Sequence, residues 1–428
     1  MKWRMRYLTM FVSALLLVAL SFVLWTSNQK KILRIGVYAG SSWDVPNSRE
    51  NRVLDNIIRQ FEKSHPNVKV VYESGIPKKD YDNWLAEKIL KGEQADVFMV
   101  PENDFSMLAS SGAFKSLDSL ISKEEAAVYY PVAYQAGQYQ GNSYALPIES
   151  NPVMMCVNKD LLEKEGISIP DSNWTLEDLY AICQKVTKDT DGDGLIDQYG
   201  ITDYTWKQAL VAYNGHLRNQ NGVNIDSVEM HQALSFISKL DSLNQRYKVT
   251  SNDFDEGKVA FYPMSLAQYR TYKPYPYHVA KYSRFSWTCI PMPAAKARIP
   301  ATQVKTSLFA MSSKTKQDKL AWEFMKLLCQ NQKNQQELFA KSQGTSVLTS
   351  VVKSSQTKKI LQADDFGLDS LTSQRLDHMM KHSVLDISRD LDYHSLERLD
   401  YLLGNALKNN EIDSILPSIQ REMEETGK

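Results

Sequence analysis

The acidic run "KDTDGDGLIDQYG", residues 188–200, has the residue types and spacing of a calcium-binding loop. Its carboxylates alternate along the chain, so they repel one another unless a divalent cation or solvent offsets their charge. The predicted metal ligands are Asp189, Asp191, Asp193, the carbonyl of Leu195, and Asp197. Gly200 stands where a bidentate glutamate normally completes such a loop. A structural calcium site and a solvated Asp-Gly turn both remain open, and a bound metal would brace the segment that follows.

Motifs for catalysis are absent from the sequence. The seven histidines do not cluster, and no nucleophile elbow, zinc-protease helix or phosphate-binding loop occurs. Glu102 and Glu149 could serve as the two acids of a glycoside hydrolase, but their spacing does not require that reading. The sequence therefore predicts a protein that is not an enzyme and needs no cofactor beyond the possible calcium.

Composition and charge limit the partners. Fifty Lys and Arg residues balance fifty Asp and Glu residues, so no general attraction to nucleic acid is expected. The 428 residues suffice for two large lobes with full cores.

Four cysteines, Cys156, Cys183, Cys289 and Cys329, show no C-x-x-C spacing, and buried free thiols are favoured over disulfides.

The amino terminus predicts an extracytoplasmic protein. Basic residues in "MKWRMR" precede 19 uncharged residues, Tyr7 to Trp25, which is long enough for a membrane-spanning helix. The basic head would stay in the cytoplasm and place the rest of the chain outside. We expect residues 1–27 to be an uncleaved anchor; a cleaved signal peptide is the alternative.

The positions of strands and helices predict where a ligand binds. Strand-like segments at 32–40, 67–74 and 95–101 alternate with amphipathic helices, which is typical of an α/β doubly wound sheet. Ligands of such sheets bind beyond the carboxyl ends of the strands, here residues 38–44 and 100–104. Tyr and Trp number 22 and 8, and such amphipathic aromatics suit half-wet binding surfaces.

Several segments together resemble the extracellular solute-binding proteins of carbohydrate ABC importers, a maltose-binding-protein-like family. They are "RVLDNIIRQFEKSHPNVKVVYE", "GEQADVFMV", "YALP", "NKDLLEKEGI", "NWTLEDL", "FDEGKVAFYPMS" and "KLAWEFMKLL", in family order from about Ile32 to about residue 425. The resemblance implies a two-lobed, type II periplasmic-binding-protein-like α/β fold whose lobes close around a sugar.

The resemblance also implies discontinuous lobes joined by a hinge that the chain crosses three times, near Tyr130, Tyr262 and Ser313. We expect lobe 1 at residues 30–129 plus 262–312, and lobe 2 at residues 130–261 plus 313–428. Two departures stand out, because the usual lipid-modified cysteine is missing and Val304-Lys305-Thr306 replaces a glycine pair.

A sugar needs flat aromatic platforms for its C–H faces and planar polar groups for its hydroxyls. Strand ends, the hinge and the resemblance together supply the candidates, each of which has an alternative role in packing, capping or a turn. The predicted ligand-binding residues are Trp43, Asp44, Glu102, Asn103, Asn151, Trp206, Tyr262, Tyr269 and Arg270.

The leading hypothesis is carbohydrate binding outside the cell and delivery to an ABC permease. A membrane-tethered sugar sensor that signals to a membrane partner is the alternative, and a glycoside hydrolase is less favoured. None of these three hypotheses involves nucleic acid.

Overall fold

The computed structural model describes residues 30–43, 52–73, 75–245, 247–272, 285–364 and 370–426. The predicted anchor at residues 1–27 and the predicted ligand residue Asp44 lie outside these ranges. Within them, no helix combines the length and apolar character that crossing a bilayer requires.

A first sheet follows the strand and helix alternation read from the sequence. The strands that begin the chain are β1 Lys31–Gly36, β2 Val68–Tyr72 and β3 Val97–Val100. β1 pairs in parallel with both β2 and β3, which confirms the predicted doubly wound arrangement at this edge. β12, Thr302–Met311, then runs antiparallel between β3 and the long strand β6, Ala145–Asn158. The short strands β13, Thr345–Ser346, and β14, Ser383–Leu385, pair with β6 and β12 respectively.

β6 connects this sheet to a second one. Its first half pairs with β12, and from Val153 onward it pairs with β10, Val259–Ser265, and β11, Trp287–Ile290. β7, Tyr199–Ile201, runs parallel to β10 at the edge of the second sheet. One strand that belongs to both sheets gives a continuous backbone link between two lobes. Two small hairpins complete the strands: β4 Gln138–Tyr139 with β5 Asn142–Ser143, and β8 Arg218–Asn219 with β9 Gly222–Val223.

Helices cover both sheets. In chain order they are α1 Arg52–Ser64, α2 Lys78–Lys91, α3 Phe105–Ser110, α4 Lys123–Ala126, α5 Pro131–Ala136, α6 Lys159–Lys164, α7 Leu176–Val186, α8 Trp206–Ala212, α9 Val228–Leu243, α10 Ser251–Asp255, α11 Leu266–Tyr272, α12 Asp318–Cys329, α13 Gln332–Lys341, α14 Thr349–Val352, α15 Ser355–Asp364, α16 Ser373–Lys381, α17 Tyr393–Asn409 and α18 Ile412–Thr426. Two 3-10 turns occupy Glu102–Asp104 and Ile387–Asp390.

Local sequence explains where several helices begin and which face they bury. Thr175 caps α7, with its hydroxyl accepting from the Asp178 N–H and the Asp178 carboxylate accepting in return from the Thr175 N–H. This reciprocal pair is a capping box with Asp in place of the usual Glu or Gln. α1 buries Ile57, Ile58 and Phe61 on one face, as its helical spacing predicts.

Buried side chains form two apolar cores. One fills the first sheet with its helices and continues onto one face of the second sheet; the other covers the opposite face of the second sheet. The predicted lobe boundaries stay a prediction, although one contact bears on them. α12 and α13, assigned from the sequence to lobe 2, pack against α1 on the first sheet because Phe324 of α12 meets Phe61 edge to face at 5.3 Å.

Candidate ligand-binding cleft

A cavity opens at the carboxyl end of β1, where the sequence places ligand contacts. Its volume is about 130 Å³. Apolar side chains such as Val37, Ile57 and Leu338 line the inner part, while Ser41 and Glu149 contribute polar atoms. Apolar walls with a few polar groups are typical of small-molecule sites.

Beside this cavity, a buried polar network holds together two segments far apart in sequence. Glu149 on β6 is only 6% exposed, and its Oε1 accepts a hydrogen bond from the Gly344 N–H at 2.7 Å. Arg270 on α11 donates from Nη1 to the carbonyls of Phe339 and Gly344, at 2.8 and 3.0 Å. Its Nε lies 3.2 Å from the Asp364 carboxylate. The network therefore fixes α11 against the segment that follows α13.

The electrostatics of this network follow from its burial. Burial raises the pKa of Glu149, and the Gly344 N–H and the Arg270 charge only partly offset that effect. Burial likewise lowers the pKa of Arg270, with Asp364 and Glu149 opposing the change. The Trp43 indole N–H lies beside the same carboxylate and also opposes the rise in its pKa, although it makes no hydrogen bond of normal geometry. The structure thus brings two predicted residues, Trp43 and Arg270, together around Glu149.

Asn151 lies where β6 passes from one sheet to the other. Its side-chain oxygen accepts a hydrogen bond from the Ala267 N–H at 2.9 Å, in the first turn of α11. An amide oxygen at that place satisfies a helix N–H that has no partner within the helix. The predicted ligand residue therefore also joins the crossing strand to the helix that carries Arg270.

The two lobes meet at the carboxyl end of β3. The 3-10 turn Glu102–Asp104 contacts the 3-10 turn Ile387–Asp390, and Ile387 belongs to the second core. The Arg389 guanidinium lies 5.7 Å from the centre of the Phe105 ring. Asn103 is half-buried at this contact; the Glu102 backbone begins the turn. The polar turn after β3 therefore contacts a segment that belongs to the second core; ligand contact by Glu102 and Asn103 remains a prediction.

Asp104 is the most perturbed acid at this junction. Its pKa is raised to about 6, first by burial and then by the nearby carboxylates of Asp82 and Asp392. Burial also acts on Asp392, but hydrogen bonds from Ser395 outweigh it and lower the pKa of Asp392. Asp82 lies in α2 and Asp104 ends the turn after β3, both beside the first sheet. Asp392 caps α17, which packs in the second core. Elements of both cores therefore contribute carboxylates at this junction.

In the second lobe, polar residues gather beyond the carboxyl end of β7. Asp203 is exposed and has a left-handed backbone with φ of 53°, and partial desolvation raises the pKa of its carboxyl. Tyr262 on β10 is half-buried, packs edge to face on Phe254 at 5.3 Å, and has a pKa raised to about 12 by burial and then by Asp203. The predicted contact of Tyr262 with ligand stays a prediction.

Two other predicted platforms are packed inside the cores. Trp206 begins α8, is 5% exposed, and donates from its indole N–H to the Asp400 carboxylate at 2.8 Å. Tyr269 is buried against Trp287, with ring centres 5.6 Å apart. Ligand contact by either residue remains a prediction.

The acidic loop connects α7 to β7. One oxygen each from Asp189, Asp191 and Asp193 lies within 4.8 Å of the others. Backbone N–H groups donate hydrogen bonds to these carboxylates. Asp189 accepts from the Gly192 N–H at 2.6 Å and from the Gly194 N–H at 2.7 Å. These hydrogen bonds lower the pKa of Asp189.

The end of this loop is fixed by packing. Asp197 accepts from the Thr190 N–H at 2.8 Å and from its hydroxyl at 2.6 Å, while the Leu195 side chain is exposed. A Cβ atom on Gly200 would lie 2.5 Å from Cβ of Cys183. No side chain fits there, which explains the missing twelfth ligand.

Sequence reasoning missed Asp104, Asp392 and Gly344 as site residues. Asp104 falls inside the strand end that the sequence did single out, so its position was available. Asp392 and Gly344 come from the carboxyl-terminal third of the chain, and no local pattern links them to β3 or β6.

A family model described as bacterial extracellular solute-binding protein matches residues 56–364, which is more than half of the chain. The chain belongs to the bacterial extracellular solute-binding proteins. An extracytoplasmic location follows from this membership. The family is one of binding proteins rather than enzymes, and its members normally need no cofactor.

Individual relatives are distant. This solute-binding protein is 25% identical over 138 residues to the maltotriose-binding protein of Pyrococcus abyssi (strain GE5 / Orsay), covering 32% of this chain and 30% of that protein. The chain spans between about a third and a half of the length of the curated relatives it matches.

Solved structures match over nearly the whole chain. The cyclic alpha-maltosyl-1,6-maltose binding protein from Arthrobacter globiformis has a TM-score of 0.71 at 15% identity, covering 92% of this chain and 98% of that one. The sugar-binding protein MalE from Xanthomonas citri has a TM-score of 0.73 at 15% identity, covering 92% and 97%. These matches establish the two-lobed periplasmic-binding-protein-like fold that the sequence predicted.

Proposed function

We propose that this solute-binding protein binds an oligosaccharide between its lobes outside the cell and delivers it to an ABC importer. The observation that carries the proposal is the junction at β3, where the turn Glu102–Asp104 contacts the turn Ile387–Asp390 and the Asp392 carboxylate contributes to the raised pKa of Asp104. Carboxylates that both lobes contribute can accept hydrogen bonds from sugar hydroxyls only when the lobes are close. The sugar ligands named for the two structural neighbours and for the Pyrococcus relative support the same ligand class.

Binding without chemistry fits the acids of the cleft better than hydrolysis does. A retaining or inverting glycosidase needs two carboxyl groups about 5 to 10 Å apart that face one sugar bond. Glu149 instead accepts the Gly344 N–H and borders Arg270, so its role is to hold backbone segments. We therefore propose that the bound sugar leaves unchanged.

The test is calorimetric titration of the purified chain with linear and cyclic maltodextrins, followed by chromatography of the recovered sugar. We expect saturable binding of at least one oligosaccharide and recovery of intact sugar. Trp43→Ala should weaken that binding because it removes the predicted aromatic platform beside Glu149, whereas Trp84→Ala on α2 is the matched control and should not. Absence of binding across the panel would refute carbohydrate as the ligand, and shortened products would refute transport without chemistry.

We further propose that residues 1–27 remain as a membrane anchor, which keeps the binding lobes near the permease. The support is the 19-residue uncharged segment behind a basic head. Fractionation of cells followed by mass spectrometry of the amino terminus tests it. An intact amino terminus in the membrane fraction supports the anchor, and a mature chain that begins after residue 27 contradicts it.

We also propose that the acidic loop holds a structural calcium ion through Asp189, Asp191, Asp193 and the Leu195 carbonyl, with Asp197 at the fifth predicted position. The three neighbouring carboxylates support it, because oxygen donors in that number suit calcium. Bound calcium would supply positive charge that allows them to stay ionised together and would brace β7. Calcium should raise the melting temperature of the wild type but not of Asp191→Asn, as mass action requires. An equal shift in both proteins, or none in either, would remove the assignment.

A further inference from the structure

Two cysteines face each other across neighbouring strands of the second sheet. Cys156 lies on β6 and Cys289 on β11, and they are direct partners in the antiparallel register. Their sulfur atoms are 3.6 Å apart, and both side chains are fully buried. All four cysteines of the chain are present as thiols, as the sequence predicted, but sequence spacing gave no sign of this pair.

The backbone at this pair suits a covalent link. The Cys289 N–H donates to the Ser370 carbonyl at 2.8 Å rather than to β6. Cys156 and Cys289 therefore form a non-hydrogen-bonded pair, in which antiparallel strands bring the Cα atoms to about 4.5 Å. That separation lies within the range of roughly 4.4–6.8 Å found for disulfides. Rotation of the two side chains closes the remaining gap between the sulfur atoms, and the strands keep their positions.

We propose that Cys156 and Cys289 form an interstrand disulfide when the protein is outside the cell. The extracytoplasmic location of the family supplies the oxidising compartment in which disulfides persist. The oxidant is an external disulfide, either a small molecule or an oxidoreductase. One protein thiolate attacks it and releases one thiol; the second thiolate then displaces the other. Two S–H protons are lost, one S–S bond forms, and the external disulfide is reduced to two thiols.

The other two cysteines provide an internal comparison. Cys183 lies on α7, where it packs in the second core, and Cys329 ends α12 in the first core. Burial raises the pKa of both thiols far above the usual value. They lie in different cores and so are not partners for each other, whereas the strand register places Cys289 directly opposite Cys156.

The link would act on the strand that joins the lobes. The two cysteines are 133 positions apart, so the bond closes a long loop and removes much conformational freedom from the unfolded chain. It would also fasten β11 to β6 beside Tyr269, one position before Arg270 of the Glu149 network. Oxidised protein should consequently unfold at a higher temperature, by roughly 5 °C.

The experiment uses the full chain, unfolded and then refolded either with oxidised and reduced glutathione or with dithiothreitol. Refolding in the redox buffer exposes the thiols before the strands pair, so access does not limit the reaction. Thiols are then alkylated under denaturing conditions, and proteolytic peptides are identified by mass spectrometry. We expect a linked Cys156–Cys289 peptide in the glutathione sample only, with Cys183 and Cys329 alkylated in both samples.

Two variants separate this pairing from a general effect of oxidation. The rise in melting temperature should disappear in Cys289→Ser and persist in Cys183→Ser. Alkylation of Cys156 and Cys289 in the glutathione sample, glutathione attached to each of them singly, or a link to Cys183 or Cys329 would overturn the proposal. So would a rise in melting temperature that Cys289→Ser retains.

Discussion

Replacing Gly344 with alanine should disrupt the buried network without straining the backbone. A Cβ atom at this position would lie 2.5 Å from Oε1 of Glu149 and 2.7 Å from its Cδ. The carboxylate must therefore move, and the hydrogen bond from the Gly344 N–H is lost. Losing a hydrogen bond to a charged group costs about 1.5–3 kcal/mol, and overpacking adds about 1–3 kcal/mol. We expect the free energy of unfolding to fall by about 3 kcal/mol.

Urea unfolding of the purified protein measures this loss, and Gly404→Ala is the matched control. Gly404 lies in α17, is exposed, and has no atom within 4 Å of a Cβ built on it. The same substitution there should stabilise the protein by about 0.5–1 kcal/mol because alanine favours the helix. The double variant Glu149→Ala, Gly344→Ala should be more stable than the sum of the single changes predicts, since the clash is gone. Equal stability of Gly344→Ala and wild type would refute the network.

Three further predictions concern single side chains. Asp104→Asn should raise the melting temperature at pH 7 and not at pH 3. The pKa of Asp104 is raised from about 3.8 to about 6 in the folded protein, so the folded state loses stability as pH rises through that interval and the carboxyl ionises. An equal effect of the substitution at both pH values would contradict the burial argument. The Nδ1 atom of His231 lies 2.9 Å from the Asp413 carboxylate, and its Nε2 atom lies 2.9 Å from the Asp226 carboxylate. Burial lowers the pKa of His231, but these two hydrogen bonds outweigh burial, and the pKa is raised. Its stabilisation should be full below about pH 6.5 and lost as pH rises through the higher folded pKa, so His231→Gln should flatten that part of a stability profile, and an unchanged profile would count against the pair. Trp206→Phe should cost about 1–2 kcal/mol through the lost bond to Asp400 while sugar affinity stays constant; weaker sugar binding in the stable variant would instead support the predicted platform.

The elements of the first lobe could be predicted from the sequence because their patterns are local. The spacing of Ile57, Ile58 and Phe61 marks one face of α1, and the apolar segment around Val97 marks a buried strand. The capping box at Thr175 also needs only four consecutive residues. These features follow from hydrophobic periodicity and side-chain hydrogen bonding within a few residues, which a single sequence displays.

The site was harder to predict because its members come from distant segments. Trp43 and Arg270 were named as ligand residues, but only the fold reveals that both border Glu149, which Gly344 and Asp364 help to hold. Trp206 and Tyr269 looked suitable by type, yet tertiary packing buries both rings. Asp104 was overlooked because its raised pKa comes mainly from burial in the fold, with a smaller contribution from Asp392, nearly three hundred residues away.

Small-angle X-ray scattering tests most directly whether the two lobes close on a sugar. The radius of gyration of the full chain is measured alone and with a saturating concentration of the maltodextrin that binds most tightly in calorimetry. We expect a smaller radius with the sugar present, because Asp104 and Asp392 approach each other across the bound ligand. An unchanged radius at saturation would contradict closure as the means of binding.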